Sequence, residues 1–271
     1  MRTLQRGRYP ELEALGVETV RGDIADPTIV DSAVAGCDLV FHVAAKVEMW
    51  GPKEPFRLAN VIGTRNILEA MRRNGNGRLV FTSSPSVVHG GAGIEGADES
   101  LPYPDHYEAA YPETKAEAER LVLGANSADL PTVALRPHLI WGPEDNHLVP
   151  RILERGGRGE LRRIGTRECL VDTIYIDNAA TAHLQAADCL EIGSLVAGKA
   201  YFLAQGERTV EDLAKAAGLS IANTSKHLQQ LKGAGLVEAR REGKHIHYRL
   251  SDDRAIDAVR ELRVLAEAHI E

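Results

Sequence analysis

The chain has 271 residues, of which 44% are hydrophobic and 26% charged, and it carries a formal net charge of −7. These proportions are ordinary for a globular protein. No apolar run is long enough to cross a bilayer, and the first residues lack the apolar core of a signal peptide, which argues against a membrane protein. Three cysteines without a CxxC spacing favour a reduced, cytoplasmic location, and we predict no metal site.

The charge is distributed unevenly along the chain. The net negative charge lies in residues 1–206, because residues 207–271 carry 11 basic and 11 acidic side chains. Within that second segment, six basic residues but only two acidic ones fall between Lys226 and Arg249. A basic stretch on an acidic protein points toward nucleic acid, although an ordinary solvated face gives the same pattern.

Segments typical of strands and helices alternate along the first two hundred residues. The apolar patterns predict strands at 17–21, 38–43, 78–81 and 132–135 and helices at 27–34, 60–72 and 115–123. This alternation predicts an α/β fold, a Rossmann-like doubly wound parallel sheet. Ligands of such sheets bind at the carboxyl ends of the strands, where residues 44–46, 83–84 and 136–138 fall.

The clearest chemical pattern is a tyrosine and a lysine four residues apart, Tyr111 and Lys115. On a helix they share one face, and the ammonium is expected to lower the phenol pKa. Such a tyrosine exchanges a proton with a substrate hydroxyl or carbonyl. Ser84, at the end of a predicted strand, can donate a hydrogen bond to the same oxygen, and Ser83 is the second candidate. The spacing alone is weak, because a surface helix with an exposed lysine also produces it.

Further motifs accompany this pattern in a fixed order. They occupy residues 22–24, 38–45, 60–64, 82–88, 111–115, 135–143 and 175–178. The set resembles the extended short-chain dehydrogenase/reductases, most closely the 3-beta-hydroxysteroid dehydrogenase-like branch, which is akin to the NAD-dependent epimerases. The resemblance implies an NAD(P)-dependent oxidoreductase acting on a small hydrophobic alcohol or ketone.

The resemblance also implies roles for individual residues. Tyr111 is the expected acid/base, with Lys115 lowering its pKa and reaching the cofactor ribose, and Ser84 is expected to polarise the substrate oxygen. The expected cofactor contacts are Arg6, Asp23, Ile24, Ala44, Ala45, Lys115 and Pro137. Polar residues of the motifs such as Asn60, Asp177 and His42 are explained at least as well by capping or by linking strands.

One part of the family pattern is missing. The fold normally opens with a strand and a glycine-rich turn that holds the cofactor pyrophosphate, whereas residues 2–5 here already resemble the second strand. The glycines at 91, 93 and 96 lead into an acidic loop and do not replace that turn. We therefore expect Met1 to be an internal or misassigned start of a longer product. At the end of this second strand the chain offers Arg6 and no acid, which by the resemblance implies NADP rather than NAD.

The last 65 residues have a different character. Helical patterns at 208–217 and 220–232 flank a glycine turn, residues 236–241 and 245–250 alternate like a hairpin, and 252–270 predict a final helix. This segment resembles the ArsR-type winged-helix repressors, which implies binding to double-stranded DNA and a homodimer. The expected DNA contacts are Ser220, Asn223, Thr224, Ser225, Lys226, Arg241 and Lys244.

The sequence thus predicts two incomplete domains, a dehydrogenase-like domain over 1–206 and a winged helix over 207–271. The first interpretation is an oxidoreductase fused to a DNA-binding module. In the second, the chain is a transcriptional regulator whose dehydrogenase-like part serves as a sensing or dimerising body. In the third, it is a non-functional chimera.

Overall fold

The computed structural model describes residues 1–48, 50–75, 77–91, 93–94, 96–143, 145, 149–160, 162, 171–191, 193–204, 208–209, 220–235, 237–242 and 245–250. The chain divides into two compact units, Met1–Ala204 and Gln205–Glu271. None of the described helices is long and apolar enough to cross a membrane.

The first unit is an alternation of strands and helices. Its strands are β1 (Arg2–Gln5), β2 (Glu18–Arg21), β3 (Leu39–His42), β4 (Arg78–Thr82), β5 (Thr132–Pro137), β6 (Leu139–Trp141), β7 (Thr173–Tyr175) and β8 (Lys199–Leu203). Its helices are α1 (Pro10–Ala14), α2 (Pro27–Val34), α3 (Lys53–Phe56), α4 (Gly63–Asn74), α5 (Ala110–Gly124), α6 (Val149–Gly157) and α7 (Ile176–Cys189). A π-helix at Arg57–Ile62 leads into α4, and a 3₁₀ helix at Pro85–Val88 follows β4.

The strand pairs that the structure describes in this unit are all parallel, which confirms the predicted Rossmann-like sheet. Four strands pair in the order β3-β4-β5-β8, while β1 pairs with β2 and β6 with β7 in separate ladders. From the sequence we expect that the first strand of the family's sheet is missing before β1. That expectation stays a prediction, because the strand pairings do not test it.

The four-stranded sheet is buried on both faces. Along β4, Leu79 and Phe81 join a core with α2, α4 and α5, whereas Val80 joins a second core that includes Leu190 beyond α7. This division follows from the two-residue period of a strand, which sends successive side chains to opposite faces. Helices on both faces therefore hold the carboxyl ends of β3, β4 and β5 at one edge.

The helix predicted at 60–72 differs from the expectation at its start. Residues 57–62 form a π-helix before α4 begins at Gly63. Two constraints act there: Asn60 is bonded to residues outside its helix, and a Cβ on Gly63 would stand 2.6 Å from the Ile24 side chain. A widened turn is often found where a helix borders a functional site.

The second unit contains α8 (Ile221–Gly233), the hairpin β10 (Val237–Glu242) with β11 (His245–Leu250), and the short strand β9 (Arg208–Thr209). Leu228, Val237 and Tyr248 form its described core. The prediction that a helix begins at Arg208 is wrong, because Arg208 and Thr209 pair with β11 instead. The rest of that helix (210–217) and the final helix (252–270) lie outside the described residues.

Candidate active site

Tyr111 lies in the first turn of α5, beyond the extended residue Ala109. The Ser84 side chain lies close enough to the Tyr111 phenol to lower the tyrosine pKa. Burial of the ring acts in the opposite direction and is the larger effect, so the pKa of Tyr111 is raised. The two side chains that the sequence predicted to act on one substrate oxygen are thus brought together.

The direction of that pKa shift corrects an expectation. The lysine spacing predicted a lowered tyrosine pKa, but the net shift is upward because burial disfavours the phenolate. Lys115 is not among the groups that move the Tyr111 pKa in this structure. The phenol is therefore held in its protonated form around neutral pH.

Ser84 caps the 3₁₀ helix that follows β4. Its hydroxyl accepts a hydrogen bond from the Ser86 amide at 3.2 Å and lies 2.8 Å from the Ser86 hydroxyl. Ser83, the second candidate, donates its amide to the Leu135 carbonyl at 2.6 Å. Its buried hydroxyl has no hydrogen-bond partner among the described residues. The interaction with Tyr111 distinguishes Ser84 from its neighbour.

Lys115 is buried beneath the end of β4, with 2% of its surface exposed. Its ammonium donates a hydrogen bond to the Thr82 carbonyl at 2.6 Å and lies 4.1 Å from the centre of the Phe81 ring. Burial lowers the pKa of Lys115 to about 7, while the charge of Glu119 opposes that shift. The Lys115 side chain therefore titrates around neutral pH, and it lies beneath the end of β4 that leads into Ser83 and Ser84.

Asn60 links the elements around this site, a role the sequence left as one alternative. Its amide nitrogen donates to the Thr114 hydroxyl at 3.0 Å and to the Lys46 carbonyl at 3.2 Å, and its oxygen accepts from the Lys46 amide at 2.7 Å. The loop after β3 is thereby tied to α5, next to Tyr111. The sequence signal for this role was that Asn60 is a polar residue on an otherwise apolar helix face.

His183, on α7, is a residue that the sequence did not single out. One of its ring nitrogens, Nδ1, lies 2.7 Å from the Ala179 carbonyl and the other, Nε2, lies 2.7 Å from the Thr82 hydroxyl. Because a carbonyl only accepts, Nδ1 carries the proton, and the Thr82 hydroxyl donates to Nε2. Thr82 is therefore held from both sides of the sheet, by Lys115 and by His183.

The predicted cofactor contacts lie near the carboxyl ends of successive strands. Arg6 and Asp23 are exposed after β1 and β2, Ala44 is exposed after β3, and Pro137 is buried at the end of β5. Ile24 and Ala45 are partly buried. A cleft of about 240 Å³ beside β1 and β2 is lined by Gln5, Gly7, Arg8, Glu13, Thr19 and Arg21. Arg6 does not line that cleft, although its carbonyl accepts a hydrogen bond from Arg21 at 3.3 Å.

The predicted DNA contacts differ in their exposure. Ser220, Asn223, Lys226 and Arg241 are exposed, and Ser225 is partly buried. The Ser220 hydroxyl accepts a hydrogen bond from the Asn223 amide at 3.3 Å, and so caps α8. Thr224 is buried on the same face of α8 as Leu228, one turn earlier, and its side chain is therefore not available to a groove. Lys244 lies outside the described residues.

Comparison with known proteins places this site in a family. Residues 6–218 match the model of the 3-beta hydroxysteroid dehydrogenase/isomerase family. A solved structure of MoeE5 in complex with UDP-glucose and NAD superposes with a TM-score of 0.63 at 25% identity, over 80% of this chain and 74% of that one. The chain belongs to the 3-beta hydroxysteroid dehydrogenase/isomerase family.

Two relatives have assigned activities. The 2-alkyl-3-oxoalkanoate reductase of Stenotrophomonas maltophilia (strain K279a) is 54% identical over 205 residues, which are 74% of this chain and 62% of that protein. The 3 beta-hydroxysteroid dehydrogenase/Delta 5-->4-isomerase of Mycobacterium tuberculosis (strain CDC 1551 / Oshkosh) is 38% identical over 208 residues, 73% of this chain and 55% of that protein. The chain thus spans less than two thirds of either relative.

The C-terminal part gives a separate, shorter match. Residues 201–239 match the model of the bacterial regulatory protein, arsR family. This range includes α8 and the start of β10 but not the rest of the hairpin.

Proposed function

We propose that residues 1–204 form an NAD(P)-dependent oxidoreductase that reduces the ketone of a small hydrophobic molecule to a secondary alcohol. The observation that carries the proposal is the packing of α5 against the end of β4, where Lys115 bonds the Thr82 carbonyl and the Ser84 side chain acts on the Tyr111 phenol. Membership of the dehydrogenase family supports it.

Proton transfer in this proposal begins at Tyr111. Because burial raises its pKa, the phenol is protonated around neutral pH and is ready to act as an acid. It gives its proton to the carbonyl oxygen as that oxygen gains negative charge, while Ser84 donates a hydrogen bond to the same oxygen. Lys115, one helical turn away on the same face of α5, is the cation that we expect to offset the negative charge as the phenolate forms.

A nicotinamide cofactor supplies the hydride when it is bound. The small side chains Ala44 and Ala45 leave the end of β3 open for it, and Lys115 provides a cation at the neighbouring strand end. At the far end, Arg6 is exposed and Arg21 lines the cleft beside it, whereas Glu13 is paired with Arg8 at 3.3 Å. This excess of arginine favours the 2′-phosphate of NADP over NAD.

The pyrophosphate is left without an assigned residue. Among the described residues, no glycine-rich turn leads directly into a helix at this edge of the sheet. The N-terminus of α2 is capped instead by the carboxylate of Asp26, which accepts from the amides of Thr28 and Ile29. An acidic cap repels a phosphate, so α2 does not serve as the anion site.

The substrate class follows from the relatives and from exposed apolar side chains. The names of the two relatives describe molecules with an apolar carbon skeleton oxygenated at carbon 3: a ketone in the 2-alkyl-3-oxoalkanoate, which also carries a carboxylate, and a hydroxyl in the 3 beta-hydroxysteroid. Large apolar side chains are exposed beyond β3, on β6 and on α6, namely Val43, Val47, Trp141, Ile152 and Leu153. We propose a 3-oxoalkanoate with an alkyl branch as the first substrate to test, and a sterol-like alcohol as the second.

Titration of the purified chain with NADPH and with NADH, followed by tryptophan fluorescence, tests the proposal. We expect saturable binding, tighter for NADPH, and oxidation of NADPH when a 2-alkyl-3-oxoalkanoate is added. No saturable binding up to millimolar cofactor contradicts the oxidoreductase proposal for this chain.

A second proposal concerns the C-terminal unit. We propose that it binds double-stranded DNA as a dimer through α8 and the hairpin β10–β11. The observations in favour are the Ser220-capped helix with Asn223 and Lys226 exposed, and the exposed Arg241 on the hairpin. Binding of a labelled duplex that weakens steeply with salt is the expected result. DNA binding without reductase activity favours the alternative of a regulator whose first unit is a sensing or dimerising body, and the absence of both activities favours a non-functional chimera.

A further inference from the structure

A buried carboxylate, one turn beyond Lys115 on α5, has no part in the proton transfer described above. Glu119 has no exposed surface. Arg136, from β5, donates to both of its oxygens, from Nε to Oε2 at 3.0 Å and from Nη2 to Oε1 at 2.7 Å. The Tyr103 hydroxyl donates a third hydrogen bond to Oε1 at 2.7 Å. Three donors on two oxygens suit a carboxylate that only accepts.

The position of Glu119 relates it to the catalytic residues. Tyr111, Lys115 and Glu119 are spaced by four residues and therefore lie along one face of α5. Arg136 and Tyr103 hold the Glu119 carboxylate in place by hydrogen bonds, so the carboxylate cannot turn toward solvent. The helix thus carries a phenol, an ammonium and a fixed carboxylate at successive turns.

Among the described residues, Glu119 is the source of negative charge that acts on the Lys115 ammonium. The ammonium donates to a neutral carbonyl, that of Thr82, and lies over an aromatic ring. Burial drives its pKa down, and the negative charge of Glu119 works against this. In a medium of low dielectric constant a charge one turn away has a large effect.

The other titratable groups facing Lys115 are neutral near pH 7. From β3, His42 has a pKa lowered to about 3 by burial and by the Lys115 charge, so its ring is uncharged. On α5, the pKa of Tyr111 is raised, so its phenol is uncharged too. Within the part of the chain that the structure describes, Glu119 is the carboxylate whose charge acts on Lys115.

We propose that Glu119, clamped by Arg136 and Tyr103, is a positioning residue that keeps the buried Lys115 ammonium charged on the face it shares with Tyr111. The inference rests on the proposed oxidoreductase function in one respect: that function makes Tyr111 the group whose negative charge Lys115 offsets. The link between Glu119 and Lys115 is a property of α5 and its packing, and it is measurable without turnover.

The experiment follows the side chain of Lys115 by NMR in protein labelled with ¹³C and ¹⁵N lysine, from pH 5 to 10. Its signal is assigned by its loss in Lys115→Met. We expect a titration midpoint near 7 in the parent chain, and a midpoint lower by about one pH unit in Glu119→Gln. The matched control is Glu117→Gln, which removes an exposed carboxylate from the other side of the same helix and leaves the midpoint unchanged.

The possible results of this experiment are distinct. A lower midpoint in Glu119→Gln, with a loss of kcat/KM that begins at correspondingly lower pH, supports the inference. An unchanged midpoint overturns it, whether or not reductase activity is found. A lower midpoint without any reductase activity contradicts the proposed function but leaves the electrostatic link standing.

A second variant covers the case in which Glu119→Gln does not fold, since it leaves the Arg136 charge buried and unpaired. Glu119→Gln combined with Arg136→Met removes both charges together, a change that buried ion pairs often tolerate. Loss of the Arg136 charge by itself favours a charged Lys115, so we expect the midpoint to fall in this double variant by less than in Glu119→Gln. An unchanged midpoint in this double variant also overturns the inference.

Discussion

The Lys115 ammonium donates a hydrogen bond of 2.6 Å to the carbonyl oxygen of Thr82, and this bond joins α5 to the end of β4. The two residues after Thr82 are the serines of the site, so the bond holds the lysine beneath the segment that presents Ser84. On the opposite face of the sheet, the Thr82 hydroxyl is bonded to His183. The strand end is therefore fixed from both faces.

Replacing Lys115 by methionine tests the part of the lysine in the reaction. Without the ammonium, the phenolate formed at Tyr111 loses its counter-charge, and we expect turnover to fall by about 10²-fold or more. Cofactor oxidation measured at 340 nm gives the rate, and circular dichroism shows whether the fold persists. Lys53→Met is the control, because Lys53 forms an exposed ion pair with Glu113 and its loss leaves turnover unchanged.

The buried histidine of β3 predicts how stability depends on pH. Burial lowers the pKa of His42 from 6.5 to about 3. Between these two values the unfolded chain binds a proton that the folded chain does not, so stability is lost as pH falls below 6.5. The contribution is about 1.4 kcal/mol per pH unit.

Urea denaturation at pH 5, 6, 7 and 8 measures this dependence. We expect His42→Gln to flatten the acidic limb, whereas His106→Gln, at an exposed position, leaves its slope as in the parent chain. Equal slopes for the parent chain and His42→Gln contradict the assignment.

The ion pair between Arg136 and Glu119 predicts a large loss of stability when it is broken. Both side chains are buried, so Arg136→Ala strands the carboxylate of Glu119 away from water. The expected loss in the free energy of unfolding is about 3–5 kcal/mol. Arg73→Ala breaks an exposed pair with Asp31 and should cost about 1 kcal/mol or less. Urea denaturation compares the two variants, and similar losses argue against the buried pair.

For the C-terminal unit, the salt dependence of DNA binding is the informative quantity. Lys226 is exposed on α8, and if it contacts a phosphate, Lys226→Ala should reduce the slope of log K against log salt by about 1. Lys232→Ala removes the same charge from the last turn of α8 and serves as the control. Fluorescence anisotropy with a labelled duplex measures both slopes. Equal slopes in the two variants contradict a specific contact at Lys226.

The sequence predicted features that depend on local pattern. The two-residue and 3.6-residue periods indicated the strands and helices of the parallel sheet, and the four-residue spacing placed Tyr111 and Lys115 on one face of α5. Ser84 followed from its position at a strand end. Each of these inferences uses residues that are close in the chain.

What the sequence did not predict depends on residues far apart in the chain or on burial. Thr82 meets His183 across 101 positions, and Glu119 meets Arg136 across 17. The rise in the Tyr111 pKa arises from burial, which no spacing rule reports. Thr224 was predicted to contact a DNA groove, but it is buried on the face of α8 that carries Leu228. Arg208 was predicted to begin a helix, but it pairs with Tyr248 in a strand.

The most direct test of the proton-transfer site is the rate of NADPH oxidation by Tyr111→Phe with a 2-alkyl-3-oxoalkanoate, compared with Tyr201→Phe. Both variants lose one phenolic hydroxyl, but Tyr201 lies on β8 and packs in the second core. The account predicts a loss of about 10²–10⁴-fold in kcat for Tyr111→Phe and none for Tyr201→Phe. Equal rates for Tyr111→Phe and the parent chain would contradict the assignment of Tyr111 as the acid.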